Sequence, residues 1–327
     1  MAIQVGILGL GFMGKCHLDA YAKVRGATVA AVCDVEKGRV APYAEGADSV
    51  RAYTRAAALF EDPSLDVIDI CLPTYLHARN TRAALEAGKH VICEKPMARD
   101  SKTAKGMVAA AQKSGRRLFM AHCIRFWPSY AKARDLVLGG KYGEVRSARF
   151  CRLSPLPDWS WKNWLHQPAK SGLCALDLHI HDADFIQYLL GKPKAVVSQG
   201  GGRKRGWVDH IVTAYDYGAD KLVTAEGAWE YPGGYPFTMT FTIAMEKATL
   251  IMGPDLKLAL HTSNGKSREL KVPKGDGYQA ELQHFVDCIR KDVASDVVSP
   301  ESAMHSVKLI EAELASLKTS KRVVVRF

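Results

Sequence analysis

Residues 3–14, IQVGILGLGFMG, constrain the fold of this chain more than any other stretch. Residues 5–8 are an apolar run of the kind that makes a strand buried on both faces. The run breaks into Gly9-Leu10-Gly11-Phe12-Met13-Gly14 where a helical pattern begins. Gly9 permits a tight turn, Gly11 lets the backbone come close to a pyrophosphate, and Gly14 lets the helix pack against the strand. Unpaired N–H groups at the helix start then face the negative charge. A second apolar run, residues 28–33, follows about twenty residues on and ends in Asp34, placed to grip a ribose hydroxyl pair. The other reading is an ordinary αβ turn.

The alternation continues to residue 122. Helices are predicted over residues 15–24, 36–45, 75–87 and 101–113, and strands over 29–33, 50–53, 67–72, 90–93 and 117–121. Such βα order argues for a doubly wound parallel sheet, in which ligands bind beyond the carboxyl ends of the strands. The residues to watch are therefore those just after each strand.

Beyond Arg125 the character changes. A helix over residues 128–138 leads to a strand at 145–151, a tryptophan-rich irregular stretch at 155–171 and a helix at 176–190. Residues 195–270 read as successive antiparallel strands. In one of them Phe237, Met239, Phe241 and Ile243 alternate with Thr238, Thr240 and Thr242, so one face is apolar and the other threonine. Two helices, 278–291 and 300–317, precede a strand-like 323–327. The expected architecture is α/β: a parallel-sheet domain over 1–122, then an α+β domain over 123–327 built on a large, mainly antiparallel open sheet. Trp229 and Tyr231 are expected on its open face, which favours a homodimer or homotetramer.

Composition narrows the function classes. At 327 residues with 47% apolar content, the chain suits two soluble domains. No apolar run approaches the roughly 20 residues that cross a bilayer, and no signal peptide is expected. The eight cysteines form no C-x-x-C pair and read as buried thiols of a cytoplasmic protein. The net charge of +11 invites a nucleic-acid reading. Its densest basic patches, Arg203-Lys204-Arg205 and residues 318–322, are short and lack interleaved aromatics, so anionic cofactors and metabolites account for the sign.

Several residues can carry chemistry. Lys95 follows a buried strand between Glu94 and Pro96, where its ammonium could donate to a substrate hydroxyl and lower the pKa of that group in the transition state. A surface lysine paired with Glu94 is the plainer reading. In Asp177-Leu178-His179-Ile180-His181-Asp182, a helix would put Asp177 and His181 one turn apart on a shared face, the carboxylate orienting the imidazole. The i, i+2 spacing of the two histidines splays their rings, and no further ligands are evident, so no metal is expected. His122 and Arg125 end the last strand of the first domain and could meet an anion or a sugar hydroxyl; Arg125 suits an interdomain ion pair equally well. Trp159, Trp161 and Trp164 could wall a nicotinamide or sugar ring, or fill the interdomain core. Tyr235 is a weaker candidate.

These residues together resemble the Gfo/Idh/MocA oxidoreductase family. The resemblance rests on GLGFMG at 9–14, Asp34, CLPTYLH at 71–77, the EKP of Glu94-Lys95-Pro96, HCIRFWPSY at 122–130 and ALDLHIHDADFIQYLLG at 175–191. It implies a Rossmann domain in which Gly9, Gly11 and Gly14 seat the pyrophosphate, Phe12 and Met13 cover it, Leu72, Pro73, Thr74 and His77 line the cofactor, and Glu94 lies near the nicotinamide ribose. Lys95 would be the catalytic lysine. Asp177 and His181 match the Asp-x-x-x-His pair of the inositol dehydrogenase branch, with His181 the proton acceptor; Arg125, Trp161 and Trp164 would join His181 around the substrate. Asp34 in place of a serine-arginine pair favours NAD, while Lys37 and Arg39 nearby leave NADP open. The glycine-rich run before the Asp helix is reduced to Ser171-Gly172-Leu173-Cys174. The expectation is an NAD-dependent dehydrogenase acting on a secondary alcohol of a sugar or cyclic polyol. The rivals are an NAD-dependent glycosidase and a non-catalytic dinucleotide sensor.

Overall fold

A computed structural model describes residues 2–44 and 50–327, so the end of the helix expected at 36–45 lies outside the described residues. Six strands, β1 (Ile3–Leu8), β2 (Ala27–Cys33), β3 (Arg51–Tyr53), β4 (Val67–Ile70), β5 (His90–Glu94) and β6 (Leu118–Ala121), form one parallel sheet. Their order, β3-β2-β1-β4-β5-β6, reverses between β1 and β4, which opens a crevice at the carboxyl ends of those strands. The connecting helices are α1 (Phe12–Tyr21), α2 (Lys37–Ala44), α3 (Ala56–Glu61), α4 (Thr74–Glu86) and α5 (Ser101–Ser114). Helix α1 starts three residues before the expected position, because the glycine turn itself serves as its N-terminus. The six-residue α3 is too short for its periodicity to register in the sequence. Helix α5 has conventional ends: the Asp100 carboxylate accepts from the Thr103 N–H, and Gly115 closes the helix at φ 67°.

The second sheet has nine strands: β7 (Val145–Pro155), β8 (Ala195–Gly201), β9 (His210–Asp216), β10 (Leu222–Tyr231), β11 (Thr238–Met245), β12 (Ala248–Met252), β13 (Leu258–Thr262), β14 (Ser267–Leu270) and β15 (Val323–Val324). They run in the order β14-β13-β12-β11-β7-β10-β9-β8-β15. Central β7 pairs antiparallel with β11 but parallel with β10, the exception to the expected antiparallel sheet. It also extends four residues beyond the expected end, carrying Arg152 inward. Met239, Phe241 and Ile243 are buried as the alternation requires, whereas Phe237 stands before the strand and is 56% exposed.

Helices α6 (Pro128–Leu138), α7 (Pro168–Ser171), α8 (Ile180–Leu190), α9 (Gly277–Lys291) and α10 (Pro300–Thr319) complete the fold. The segment expected to open α8 is instead a π-helical turn, Ala175–His179. Trp229, expected on the open face of the sheet, is buried in a satellite cluster with Leu165, Leu173, Cys174 and Leu178. The open face carries Val197, Val212 and Ile251, exposed, beside the charged cluster of Arg149, His210, Glu226 and Glu230. Helices α9 and α10 return to the first sheet, where Phe285 stacks on Phe119 with ring centroids 4.9 Å apart and Glu311 accepts from the Ser101 hydroxyl at 2.6 Å. One continuous apolar core therefore runs beneath both sheets. No described helix is long and apolar enough to cross a membrane, and all eight cysteines are free.

Candidate active site

A cleft of about 590 Å³ lies at the ends of β1, β4 and β5, between the first sheet and the second. One end is built from backbone. Gly9 holds φ +97°, and a Cβ there would sit 2.6 Å from the Cys71 carbonyl oxygen. A Cβ on Gly14 would collide with the Gly9 carbonyl, so this glycine serves close helix-to-strand packing. Gly11 differs from both: its φ of −72° is ordinary, and a Cβ would meet no protein atom within 4 Å. Its lack of a side chain keeps cleft space free at the uncapped start of α1, the room a pyrophosphate needs. The carboxylate of Asp34 is fixed by N–H groups of Leu10 (2.8 Å) and Glu36 (2.9 Å) and by Arg39 (3.3 Å). Phe12 and Met13 line the cleft, and Phe12 packs against Trp159 at 4.7 Å.

Leu72, Pro73 and Glu94 continue the lining. Thr74 and His77 do not: both are buried beneath it, and the His77 ring nitrogens face the carbonyls of Leu72 (2.7 Å) and Pro96 (2.8 Å), tying two strand-end turns together. Burial lowers the His77 pKa, against those carbonyls. Thr74 and His77, expected along the cofactor, thus lie behind the lining.

At the other end stands Lys95. Its Nζ donates to the Asp177 carbonyl at 2.8 Å and approaches the Asp177 carboxylate at 3.3 Å. Asp177 thus holds Lys95, not His181 as expected; the π turn that begins at Ala175 removes the regular one-turn offset on which that expectation relied. His181 lines the cleft, and among the described residues its buried Nδ1 has no partner and no hydrogen bond occupies Nε2. Burial, then the charges of Lys95 and Arg152, hold its pKa well below the ordinary histidine value, so the ring is neutral. His179 turns away to Glu313 at 2.9 Å.

Beneath Lys95 lies a buried ionic network. His17 is clamped between Asp69 (2.8 Å) and Glu94 (3.1 Å). Burial opposes a charged ring, but the Asp69 carboxylate outweighs it and lifts His17 well above its usual range. Burial would likewise raise Glu94; the His17 hydrogen bond prevails and keeps it ionised. Glu94 also accepts from the Lys95 N–H at 3.0 Å, which fixes the backbone of the lysine. Glu281 is fully buried with neither oxygen hydrogen-bonded among the described residues, and burial, then Glu94, push its pKa well above the carboxylate range, which favours the protonated form.

Of the expected substrate contacts Trp161, Trp164 and His181 line the cleft, and Arg125 is relocated. Arg125 does not line the cleft: it makes a bidentate pair with Asp184 (2.8 and 2.7 Å) and a bond to the Val297 carbonyl, the structural alternative for this residue. Trp161 lines the cleft with its Nε1 donating to Glu36 at 2.9 Å, and Trp164 lines it while packing on the satellite cluster. His122 is buried beside Asp184 at 3.4 Å, and desolvation brings its pKa down to about 4. Arg152, Tyr278, Met239 and Leu256 line the cleft and were not anticipated. Of these only Met239 left a trace in the sequence, on the apolar face of the alternating strand.

The sequence model of the oxidoreductase family with an NAD-binding Rossmann fold matches residues 3–122. The C-terminal domain model of the same GFO/IDH/MocA family matches residues 130–251. The chain belongs to the Gfo/Idh/MocA family of oxidoreductases. Family members similar to it include the levoglucosan dehydrogenase of Pseudarthrobacter phenanthrenivorans, 34% identical over 59% of this chain and 53% of that one. The inositol 2-dehydrogenase of Rhodococcus jostii is 24% identical over 99% and 92% of the two chains. The myo-inositol 2-dehydrogenase of Thermotoga maritima is matched over 55% of its length, so the chain aligns with little more than half of several curated relatives. A solved levoglucosan dehydrogenase, in complex with NADH and levoglucosan, superimposes with a TM-score of 0.90 over the whole of both chains at 22% identity, a likeness of fold.

Proposed function

We propose that this Gfo/Idh/MocA chain is an NAD-dependent dehydrogenase that interconverts a secondary alcohol and a ketone on a sugar or cyclic polyol. The observation that carries the reading is a lysine held by a carboxylate at a strand end, next to an uncharged histidine whose free nitrogen meets the cleft. Relatives named as dehydrogenases of levoglucosan, inositol and glucosides support it.

Gly9, Gly11, Phe12, Met13, Asp34, Leu72, Pro73 and Glu94 would hold the dinucleotide, with Gly14 behind the turn; when bound, its nicotinamide supplies the hydride acceptor. The protein's part is placement and charge. His181 accepts the hydroxyl proton, and the Lys95 ammonium stabilises the oxygen as negative charge builds on it. Asp177 acts on Lys95, keeping the ammonium in place. In reduction His181 returns the proton. The Asp34 carboxylate repels a 2′-phosphate and already engages Arg39, the cation that would otherwise attract one, so NAD is favoured over NADP. A second copy docked on the open face of the nine-stranded sheet, over Val197, Val212 and Ile251, would make a homo-oligomer.

Titration with NADH and NADPH, read by tryptophan fluorescence, tests the cofactor; absorbance at 340 nm with myo-inositol, aldoses and glycosides tests the reaction. Tighter NADH binding that Asp34→Ser reverses, with net NADH formation on a sugar or polyol, is expected. Absence of dinucleotide binding would overturn the whole reading.

A further inference from the structure

Resting on that reading, the dinucleotide crevice is closed in part by chain that its own domain does not supply. The turns that leave β1, β2, β4 and β5 surround the crevice. One segment of the second domain, residues 159–177, touches each of these turns in chain order. Trp159 meets Phe12 after β1 with ring centroids 4.7 Å apart, and the Trp161 Nε1 donates to the Glu36 carboxylate after β2 at 2.9 Å. The Lys170 ammonium lies 5.3 Å from the centroid of the Tyr75 ring at the start of α4, and Asp177 holds Lys95 after β5.

The segment is stiff at its base and exposed at its tip. Leu165 is buried in the satellite cluster, the Ser171 hydroxyl donates to the Leu165 carbonyl at 2.8 Å, and the His166 Nε2 donates to the Pro157 carbonyl at 2.6 Å. Between Trp161 and Trp164 stand two consecutive left-handed residues, Lys162 (φ 49°, ψ 31°) and Asn163 (φ 50°, ψ 38°). A lysine is costly in that conformation, and such strain persists only where its surroundings over-determine it, as at ligand clamps. Here the Asn163 N–H donates to the Ser160 carbonyl at 2.9 Å, and the Gln167 amide donates to the Lys162 carbonyl at 3.1 Å. Trp159 and Phe12 are 57% and 55% exposed, so the tip reaches the first domain through contacts at the surface, which part at small cost.

Those contacts adjoin the two points that a dinucleotide occupies in this fold. Phe12 follows Gly11 at the pyrophosphate site, and the Glu36 N–H is bonded to the Asp34 carboxylate at the ribose site. A tip joined to both spans the path between them. We propose that residues 159–164 are a clasp that closes across the bound dinucleotide, and that Trp161 and Glu36 are positioning residues whose hydrogen bond sets the rate at which NADH leaves.

The test displaces NADH from the full chain with excess NAD in a stopped-flow instrument and follows the fluorescence of NADH itself, so no substrate is needed. Trp161→Phe keeps an aromatic ring in the cleft and removes the donor; Glu36→Ala removes the acceptor. Each should speed release by about threefold to tenfold, the worth of one hydrogen bond. The double variant should be no faster than either single change, because both remove the same bond. Glu36→Gln, which keeps an acceptor oxygen, should stay closer to the parent than Glu36→Ala does. Unchanged release in both single variants, or effects that multiply in the double variant, overturn the clasp and leave the dehydrogenase standing. A chain that binds no NADH overturns the dehydrogenase and the clasp with it.

Discussion

The two ends of the cleft are made in different ways. At the Asp34 end the shape comes from backbone: a glycine at φ +97°, a glycine that admits no Cβ, and a glycine that leaves room, all within six consecutive residues. At the Lys95 end it comes from side chains on elements far apart in the chain, Lys95 after β5, Asp177 and His181 in the π turn and α8, Arg152 on β7 and Met239 on β11. The first construction tolerates one kind of ligand and is written locally. The second can be re-lined one side chain at a time, which is how one fold serves many substrates.

The contrast predicts that damage stays at the end where it is done. Lys95→Ala should lower kcat by about a thousandfold, the scale for losing a charge that stabilises a developing oxyanion, with NADH affinity changed by less than about threefold. Stopped-flow turnover beside a fluorescence titration separates the two, and equal losses in both would join the ends that the geometry keeps apart.

Next in size is the support behind the chemical end. His122 titrates near 6.5 when unfolded and near 4 when folded. The unfolded chain therefore binds the extra proton as pH falls from 6.5 towards 4, and stability declines across that window by about 3 kcal/mol from this residue alone. Urea unfolding between pH 4 and 7 should show a shallower decline in His122→Leu than in the parent. Parallel curves would mean that His122 is charged in the fold.

Gly11→Ala is a sharper probe of the cofactor end. Its Cβ meets no protein atom, so stability should change by less than about 0.5 kcal/mol while NADH affinity falls roughly tenfold. An unchanged affinity would assign that space to something other than the pyrophosphate. Smallest of all, Glu281→Gln should alter stability at pH 7 by no more than about 0.5 kcal/mol, since the carboxyl is already uncharged. A loss of several kcal/mol, the size seen when a buried ion pair is broken, would show Glu281 ionised and the floor of the site differently charged.

Legibility followed the same division. The parallel sheet, Asp34 and the glycine turn could be read because each depends on neighbours in sequence: an apolar run, a turn, an acid at a fixed distance. Lys95 and His181 were reached through motifs, but their partners were not. A one-turn helical offset joined Asp177 to His181, and a single π turn gave Asp177 to Lys95. Arg125 sat at the right place in the chain and pointed the wrong way, because the acid that claims it, Asp184, lies 59 residues on. Trp229 looked like an interface residue because nothing local announces that the irregular segment before α8 folds over it. Tyr278, Met239 and Leu256 reach the cleft only through tertiary placement.

The return of α9 and α10 to the first sheet has a consequence for the order in which the molecule is made. A ribosome releases residues 1–122 long before Phe285 and Glu311 exist, so Phe119 and the Ser101 end of α5 wait uncovered while some 160 further residues emerge at about 5–20 per second. The nascent N-terminal segment must spend that interval shielded or loosely formed. Pulse proteolysis of stalled chains should find it cleavable until α9 has left the tunnel and resistant afterwards.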